Sequence, residues 1–428
     1  MSKKKFIIIS FDAVDGNDID FLSKLPHFGK ILKKSSYSKE VQTIYPSLTY
    51  PVHTSIITGM KPINHSITNN VKLQINKSQN PDWFWNKKEI KCDTLFDIAK
   101  RNKLICSSIL WPVTCKAKIK YNMPEVFSNN KWQNQIITSA LNGSIKYQMN
   151  LNNKFSSLRD GLNQPQLDNF AMTSFLYTLT EYNPDIMFLH LTDVDTNRHN
   201  FGYNSKEAEY ALRRHDLRLG EVTTKLETLE FLDDACIILL SDHSMKDVHS
   251  AIKLNKLFLN KCWLALDKKN EFIEYHEVFC NYCDGSAYIY LKDKSNTTLL
   301  NKVITELKDF SLKNNNCIKE ILTSDEAKEL GADPNCSLML EANDGYYFLN
   351  DFNGEIIEKT LGKHHLATHG YNPNYYENKP FFIVSDNSVK QDFDMGAIKL
   401  LDIAPTIAKL MDDSMIDTDG RIISRIFK

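Results

Sequence analysis

Apolar residues in this chain come in two alternating forms: short unbroken runs, and longer stretches at helical spacing. Residues 6–10 (Phe-Ile-Ile-Ile-Ser) are apolar on both faces, the signature of a buried parallel strand. Residues 105–110, 185–191, 235–240 and 381–384 read as further strands. Residues 20–34 place Phe21, Leu22, Leu25, Phe28, Ile31 and Leu32 at helical spacing and predict a helix. Helices are also predicted over 94–101 and 398–411. The longest spans 204–229, with Leu212, Leu219, Val222, Leu226 and Leu229 as its apolar stripe and Asn204 with Glu207 placed to form a capping box. Strands alternating with helices predict an α/β fold with a mostly parallel central sheet flanked by helices. Residues 246–360 depart from the alternation, with short mixed elements and Asn-rich turns such as Asn314-Asn315-Asn316. They predict an inserted, smaller α+β cap, and leave 1–245 and 361–428 as the main α/β domain.

Composition narrows the function classes. A chain of 428 residues with 42% hydrophobic and 25% charged content is an ordinary soluble globular protein. Its 52 basic and 53 acidic side chains leave no cationic surplus, which argues against dedicated nucleic-acid binding. A small phosphate-containing substrate held by metal is not excluded. The nine cysteines are odd in number and scattered, so they are expected as reduced thiols. Cys280 and Cys283 form one C-x-x-C without a second pair, a weak signal for a zinc ribbon. The basic start Met1-Ser2-Lys3-Lys4-Lys5 precedes an apolar run that is too short for a signal peptide and is closed by Asp12. No stretch approaches the roughly 18 apolar residues of a membrane helix. The expectation is a cytoplasmic protein without a membrane partner.

Three of the predicted core strands run into acidic residues: the first into Asp12, the 185–191 strand into Asp193-Val194-Asp195, and the 235–240 strand into Asp242-His243. Ligands of open α/β sheets bind just beyond the carboxyl ends of strands. Several carboxylates in one such crevice repel one another and require a cation. Asp195 and His199 are four apart, so one helical turn puts them on one side. His369 lies in the Gly-containing segment Thr368-His369-Gly370-Tyr371. Asp and His together suit zinc or manganese. Taken singly, an Asp after a strand is a turn former and an Asp-x-x-x-His is an exposed helix face. The coincidence of three strand ends with a downstream His-Gly carries the metal reading. In the segment from Tyr45 to Gly59, Pro51 suits a first helical turn and puts Thr49 at a helix N-terminus, where unpaired N–H groups welcome phosphate. A hydroxyl beside a divalent metal can act as a nucleophile. The plain alternative is that Thr49 only caps the helix.

With these pieces in place, the chain resembles the alkaline phosphatase superfamily, and most closely its type I phosphodiesterase/nucleotide pyrophosphatase branch. The motif Thr-aromatic-Pro-x-His is met by Thr49-Tyr50-Pro51-Val52-His53, followed by Thr58-Gly59-Met60-Lys61-Pro62. Asp12, the Asp195-x-x-x-His199-x-x-Gly202 segment, Asp242-His243 and His369-Gly370-Tyr371 match in order. The resemblance implies two zinc ions, with manganese as the alternative. Asp195, His199 and His369 would hold one, and Asp12, Asp242, His243 and the Thr49 oxygen the other. It implies Thr49 as covalent nucleophile, a phospho-threonine intermediate cleaved by water with net retention at phosphorus, and Asn70 as a donor to a phosphate oxygen. The substrate would be a small phosphodiester such as a nucleotide, with Tyr50 offering one stacking face.

Two positions depart from the family pattern. Val52 stands where an Asn is frequent, and His190 falls where several nucleotide-cleaving members carry an aromatic clamp. A phosphonate C–P hydrolase resembling phosphonoacetate hydrolase, or a phosphomonoesterase, would use the same ligands. A non-catalytic binding protein would be expected to have lost a ligand or the nucleophile, and the set here is complete. His53 is expected as a packed helix residue, and His364 and His365 as members of an exposed loop. Lys253, Lys256 and Lys261 are the cap cations positioned to fold back over the site.

Overall fold

The computed structural model describes residues 4–75, 80–130, 133–267 and 273–428. Met1 to Lys3 of the basic start lie outside the described residues. The strands of the main sheet are β1 (Phe6–Phe11), β2 (Ser36–Ser38), β3 (Cys106–Ile109), β4 (Tyr121–Met123), β5 (Ile186–Leu191), β6 (Cys236–Leu240), β7 (Phe382–Ser385) and β8 (Phe393–Asp394). Their order is β8-β2-β7-β6-β1-β5-β3-β4. The run from β6 to β4 is parallel throughout, and β7 alone is antiparallel to its neighbours. The mostly parallel α/β sheet expected from the alternation is present.

Side chains along β1 alternate between two cores, because successive residues of a strand point to opposite faces. Phe6 and Ile8 join Phe188, Ile238 and Val384 on one face, which is covered by the helices Thr49–Thr58, Leu95–Arg101 and Ile403–Leu410. Ile7 and Ile9 join Met187, Leu189 and Leu239 on the other, covered by Pro26–Leu32, Gln166–Glu181 and Lys206–Thr228. Burial on both faces is why these strands read as continuous apolar runs.

Three elements differ from expectation. The helix over 20–34 is two helices, Gly16–Leu22 and Pro26–Leu32, because Pro26 cannot continue the first and instead opens the second. The first starts early, on an Asp15–Asp18 capping box. The long helix runs Lys206–Thr228, starting two residues later than expected: its cap is Ser205, which accepts from the Ala208 N–H, so the Asn204–Glu207 box does not form. The 398–411 helix is a two-residue strand, Ile398–Lys399, a 3-10 turn, and then the helix Ile403–Leu410.

Residues 246–360 hold a four-stranded antiparallel sheet in the order Val278–Cys283, Ser286–Leu291, Leu338–Ala342, Ile318–Thr323, with the helix Thr297–Lys313 and an apolar core that Tyr371 and Tyr376 also join. A second sheet centred on Lys246–Ile252 pairs it with Gly345–Phe348, Ile357–Lys359 and Ala367–Thr368. This pairing delivers the chain to His369 at the sheet's ligand-binding edge. Among the described residues no helix is long and apolar enough to cross a membrane.

Candidate active site

Every metal-ligand candidate sits where a parallel strand ends or a neighbouring loop returns. Asp12 follows β1. Asp195 and His199 lie on the helix Asp193–Phe201 that follows β5. Asp242 and His243 follow β6. His369 is brought in by a pinned loop: the Leu366 N–H donates to the His199 carbonyl, and the Gly370 N–H to that of Ser47. Gly370 adopts a positive φ of +85°, and a Cβ there would meet the Cys283 carbonyl oxygen at 2.0 Å, so only glycine passes.

The structure gathers these residues into two sets, Asp195–His199–His369 and Asp12–Asp242–His243, whose donor atoms lie within 4.8 Å of one another in each set. The sets adjoin, since the His243 and His369 rings stack at 3.7 Å. Two observations test whether a metal fits. Asp12 Oδ1, Asp195 Oδ1 and Asp242 Oδ2 are buried without a hydrogen-bond partner, although buried carboxylate oxygens are ordinarily satisfied. Each second oxygen of Asp12 and Asp242 is taken: the first by His190 Nε2 at 3.1 Å, the second by the Ala13 and His243 N–H groups at 3.2 and 2.9 Å. In addition, His199 Nδ1–H donates to the Ala367 carbonyl at 2.8 Å and His369 Nδ1–H to that of Ser47 at 3.1 Å. That fixes the tautomer in which Nε2 keeps its lone pair, the arrangement of metal-ligating histidines.

The electrostatics agree. Burial, reinforced by Asp195, pushes Asp12 up to about 7. Burial with a neighbouring aspartate drives Asp195 and Asp242 well above the carboxylate range. Burial holds His199 down at about 4 and His243 and His369 well below their usual value. Crowded carboxylates that resist ionisation beside neutral imidazoles form a donor set that needs a cation. The residues present therefore fit two divalent ions.

Thr49 is the first residue of the helix Thr49–Thr58, whose cap position is Leu48 and carries no side-chain cap bond. Its Oγ1 lies 3.4 Å from His243 Nε2. Asn70 Oδ1 accepts from the Tyr50 N–H at 2.9 Å, which turns its NH2 group toward the cavity that it lines with Thr49. Tyr50 does not offer the stacking face expected of it: it is 0% exposed, its hydroxyl donates to Glu125 at 3.2 Å, and Trp83 packs edge-on against it at 5.1 Å. Trp83 and Phe127 line the cavity in its place. His190 is also not a clamp. It is buried between Asp12 and Glu125, with Nδ1 3.1 Å from the latter. Burial opposes its charge, but the hydrogen bonds to both carboxylates outweigh that and raise it well above the usual value.

Some participants escaped sequence reasoning. Glu125 follows β4 just as the other acids follow their strands, but a three-residue strand leaves little pattern to detect. Arg198 is buried and ties the Asp195 helix to the loop after β1 by donating to the Ala13 carbonyl and to Asp18. His53 is a packed helix residue, bonded to Thr49 O and Ser10 Oγ. His365 is exposed, yet its ring lies 4.1 Å from that of His199, and His364 bonds Glu358 at 3.0 Å. Of the cap lysines, Lys253 is paired with Asp351 and Glu358 and Lys261 with Glu306. Arg159 and Lys363 line the cavity instead, which has a volume of about 520 Å³. Cys280 and Cys283 are buried, free thiols in a cap hairpin with no metal-binding group around them among the described residues.

Comparison with known proteins agrees with this arrangement. The family model described as type I phosphodiesterase / nucleotide pyrophosphatase matches residues 6–372. Human ectonucleotide pyrophosphatase/phosphodiesterase family member 1 is 25% identical over 248 residues, 55% of this chain and 23% of that protein. The bis(5'-adenosyl)-triphosphatase ENPP4 of Pongo abelii is 23% identical over 252 residues, 56% of this chain and 47% of that one. This chain thus spans less than half the length of these curated relatives. An inactive murine ectonucleotide pyrophosphatase/phosphodiesterase 5 solved with AMP shares the fold, with a TM-score of 0.69, 17% identity and full coverage of both chains. With an ordered match over most of its length and the donor sets assembled at the strand ends, the chain belongs to the type I phosphodiesterase/nucleotide pyrophosphatase family.

Proposed function

We propose that this protein is a two-zinc phosphodiesterase that uses Thr49 as covalent nucleophile, with manganese as the alternative ion. The observation that carries the reading is the position of Thr49 Oγ1, at a helix start and 3.4 Å from His243 within the Asp12–Asp242–His243 set. Asp12, Asp242, His243 and Thr49 would hold one ion, and Asp195, His199 and His369 the other. Bound there, the ions supply Lewis-acid neutralisation of the phosphoryl oxygens and ease ionisation of the hydroxyl.

The chain's own groups do the rest. The start of the Thr49 helix directs its positive end at the phosphoryl group. The Asn70 NH2 donates to a non-bridging oxygen. Thr49 Oγ1 attacks phosphorus in line, the first alcohol or nucleotide leaves, and water then releases Thr49 from the phospho-threonine. Asp12 is held for its task by His190, which Glu125 in turn anchors. A nucleotide-type substrate is supported by the resemblance to the bis(5'-adenosyl)-triphosphatase relative, and Trp83 and Phe127 offer aromatic surface for a base. The nine unpaired thiols suit a reducing, cytoplasmic setting.

Two successive in-line displacements retain configuration at phosphorus, whereas one inverts it. Hydrolysis of a chiral phosphorothioate diester in labelled water is therefore expected to show retention, and inversion would overturn the Thr49 intermediate. A panel including phosphonoacetate and aryl monoesters separates this reading from a C–P hydrolase or a monoesterase.

A further inference from the structure

Between Glu125 and Asp160 the chain contains no Asp or Glu, although it holds 53 in all. Two helices of this stretch, Gln135–Asn142 and Ile145–Phe155, pack beside one another against the β4 edge of the sheet. They turn Ala140, Tyr147, Gln148 and Leu151 inward. Ile137 and Leu141, one turn apart, face outward at 59% and 63% exposure, and Ile145 and Met149, also one turn apart, at 53% and 42%. Seven of the sixteen large apolar side chains exposed among the described residues fall within 136–162. Lys146 is exposed on the second helix beside its outward face, whereas Lys154 is exposed on the opposite side of that helix, over the Tyr177 ring. The segment carrying Lys116, Lys118 and Lys120, all exposed, is hydrogen-bonded to the helix junction through Lys116 N–H to Asn142 and Ser144 Oγ to Lys120. The patch continues into the cavity, which Gln135, Ser139, Arg159 and Leu162 help to line.

We propose that this face docks on an anionic lipid surface and holds the mouth of the cavity at the membrane. Monomeric proteins rarely leave so concentrated an apolar surface bare. Basic side chains beside it complement negative charge, and Asp160 is the one acid within 126–162. Both helices are far too short to span a bilayer, but apolar helix faces flanked by lysines, here Lys146 and the Lys116–Lys120 segment, lie in the interface, where the lysine stems bury and the ammonium groups stay at headgroup level. A protein partner is disfavoured, because interface cores are enriched in aromatic residues and Arg and depleted in Lys, whereas the exposed side chains here are mostly Ile, Leu and Lys. The absence of a membrane-spanning run, on which the expectation of no membrane partner rested, does not bear on helices that lie flat. The inference is independent of the proposed chemistry, because binding is read without turnover.

The test is co-sedimentation of the full chain with sucrose-loaded vesicles of equimolar phosphatidylcholine and phosphatidylserine, and with phosphatidylcholine alone. Binding to the anionic vesicles that weakens with added salt is expected. Lys146→Ala should lower partitioning roughly fivefold. Leu141→Asp with Ile145→Asp should lower it at least tenfold while turnover of a small soluble diester is unchanged, since neither side chain lines the cavity. Wild-type protein left in the supernatant with both vesicle types, or a Leu141/Ile145 variant that sediments like wild type, overturns the proposal. So does a wild-type dimer by sedimentation velocity that the same variant converts to monomer without any vesicle binding, since a second copy then covers the face.

Discussion

Replacing Thr49 by alanine separates a nucleophile from a helix start. The stability cost can be worked from its contacts. The helix cap is Leu48, and the early N–H groups of the helix find other acceptors: Tyr50 N–H donates to Asn70 and Val52 N–H to the Leu48 carbonyl. Removing the hydroxyl therefore orphans no donor. Its contact with His243 is long at 3.4 Å and is worth less than about 1 kcal/mol. Alanine recovers roughly 0.5 kcal/mol of helix propensity. The net change should stay within about 1 kcal/mol, a Tm shift of no more than about 2 °C for a protein of this size. Turnover of an aryl phosphodiester should fall by about 10³-fold or more, because the attacking atom is gone. Thr49→Ser should keep measurable activity. The assay pairs a thermal melt and elemental analysis with kcat, so that loss of metal is not mistaken for loss of the nucleophile. A Thr49→Ala protein that keeps its metal and turns over within about tenfold of wild type would show that water attacks directly, and would refute the covalent reasoning.

Elemental analysis of the purified protein should find about two divalent ions per chain, zinc foremost, and stripping them with a chelator should abolish activity and lower Tm as Asp12, Asp195 and Asp242 lose their counter-charge; absence of metal with chelator-resistant activity would refute both sites. Diesters should be preferred over monoesters with the same leaving group in kcat/KM, since Tyr50, Pro51, Val52 and Asn70 set no cation beside Thr49 and the cavity's cations, Arg159 and the exposed Lys363, are the candidates to favour the dianion; a monoester preference abolished by Arg159→Ala or Lys363→Ala would reassign the substrate and leave the metal reading intact. Glu341 is buried, accepts from the Tyr45 hydroxyl at 2.8 Å and from the Asn372 N–H, and burial pushes it up to about 8. Its folded form holds a proton that the unfolded chain releases near 4.5, so its contribution is present at low pH and is lost as pH rises toward 8, by at most about 1.4 kcal/mol per pH unit. Urea melts should show Glu341→Gln flattening that decline, and an unchanged pH slope would refute it.

Much of the fold and the site was legible in the chain itself. Strands buried on both faces leave unbroken apolar runs, so β1, β5 and β6 were readable, and so were the acids placed just past them. Asp195 with His199 was readable because four residues make one helical turn. The ordered motif around Thr49 then tied these pieces to one family. Where local chemistry competes, the pattern misled: Pro26 split a helix whose apolar spacing ran on unbroken, and Ser205 took the cap for which Asn204 was as well suited.

Other features were decided only in three dimensions. That His369 meets His199, 170 positions away, depends on the pairing of Ala367–Thr368 with Lys246–Asp247 and on a glycine pressed against the Cys283 carbonyl. Tyr50 and His190 carry side chains capable of stacking, and nothing local says that one is sealed under Trp83 and the other locked between two carboxylates. Glu125, Arg198 and the bare Ile137–Met149 face follow the same rule. A residue's type and spacing determine what it is able to do, but its burial and partners come from segments far away in the chain, and only the packed structure brings those segments together.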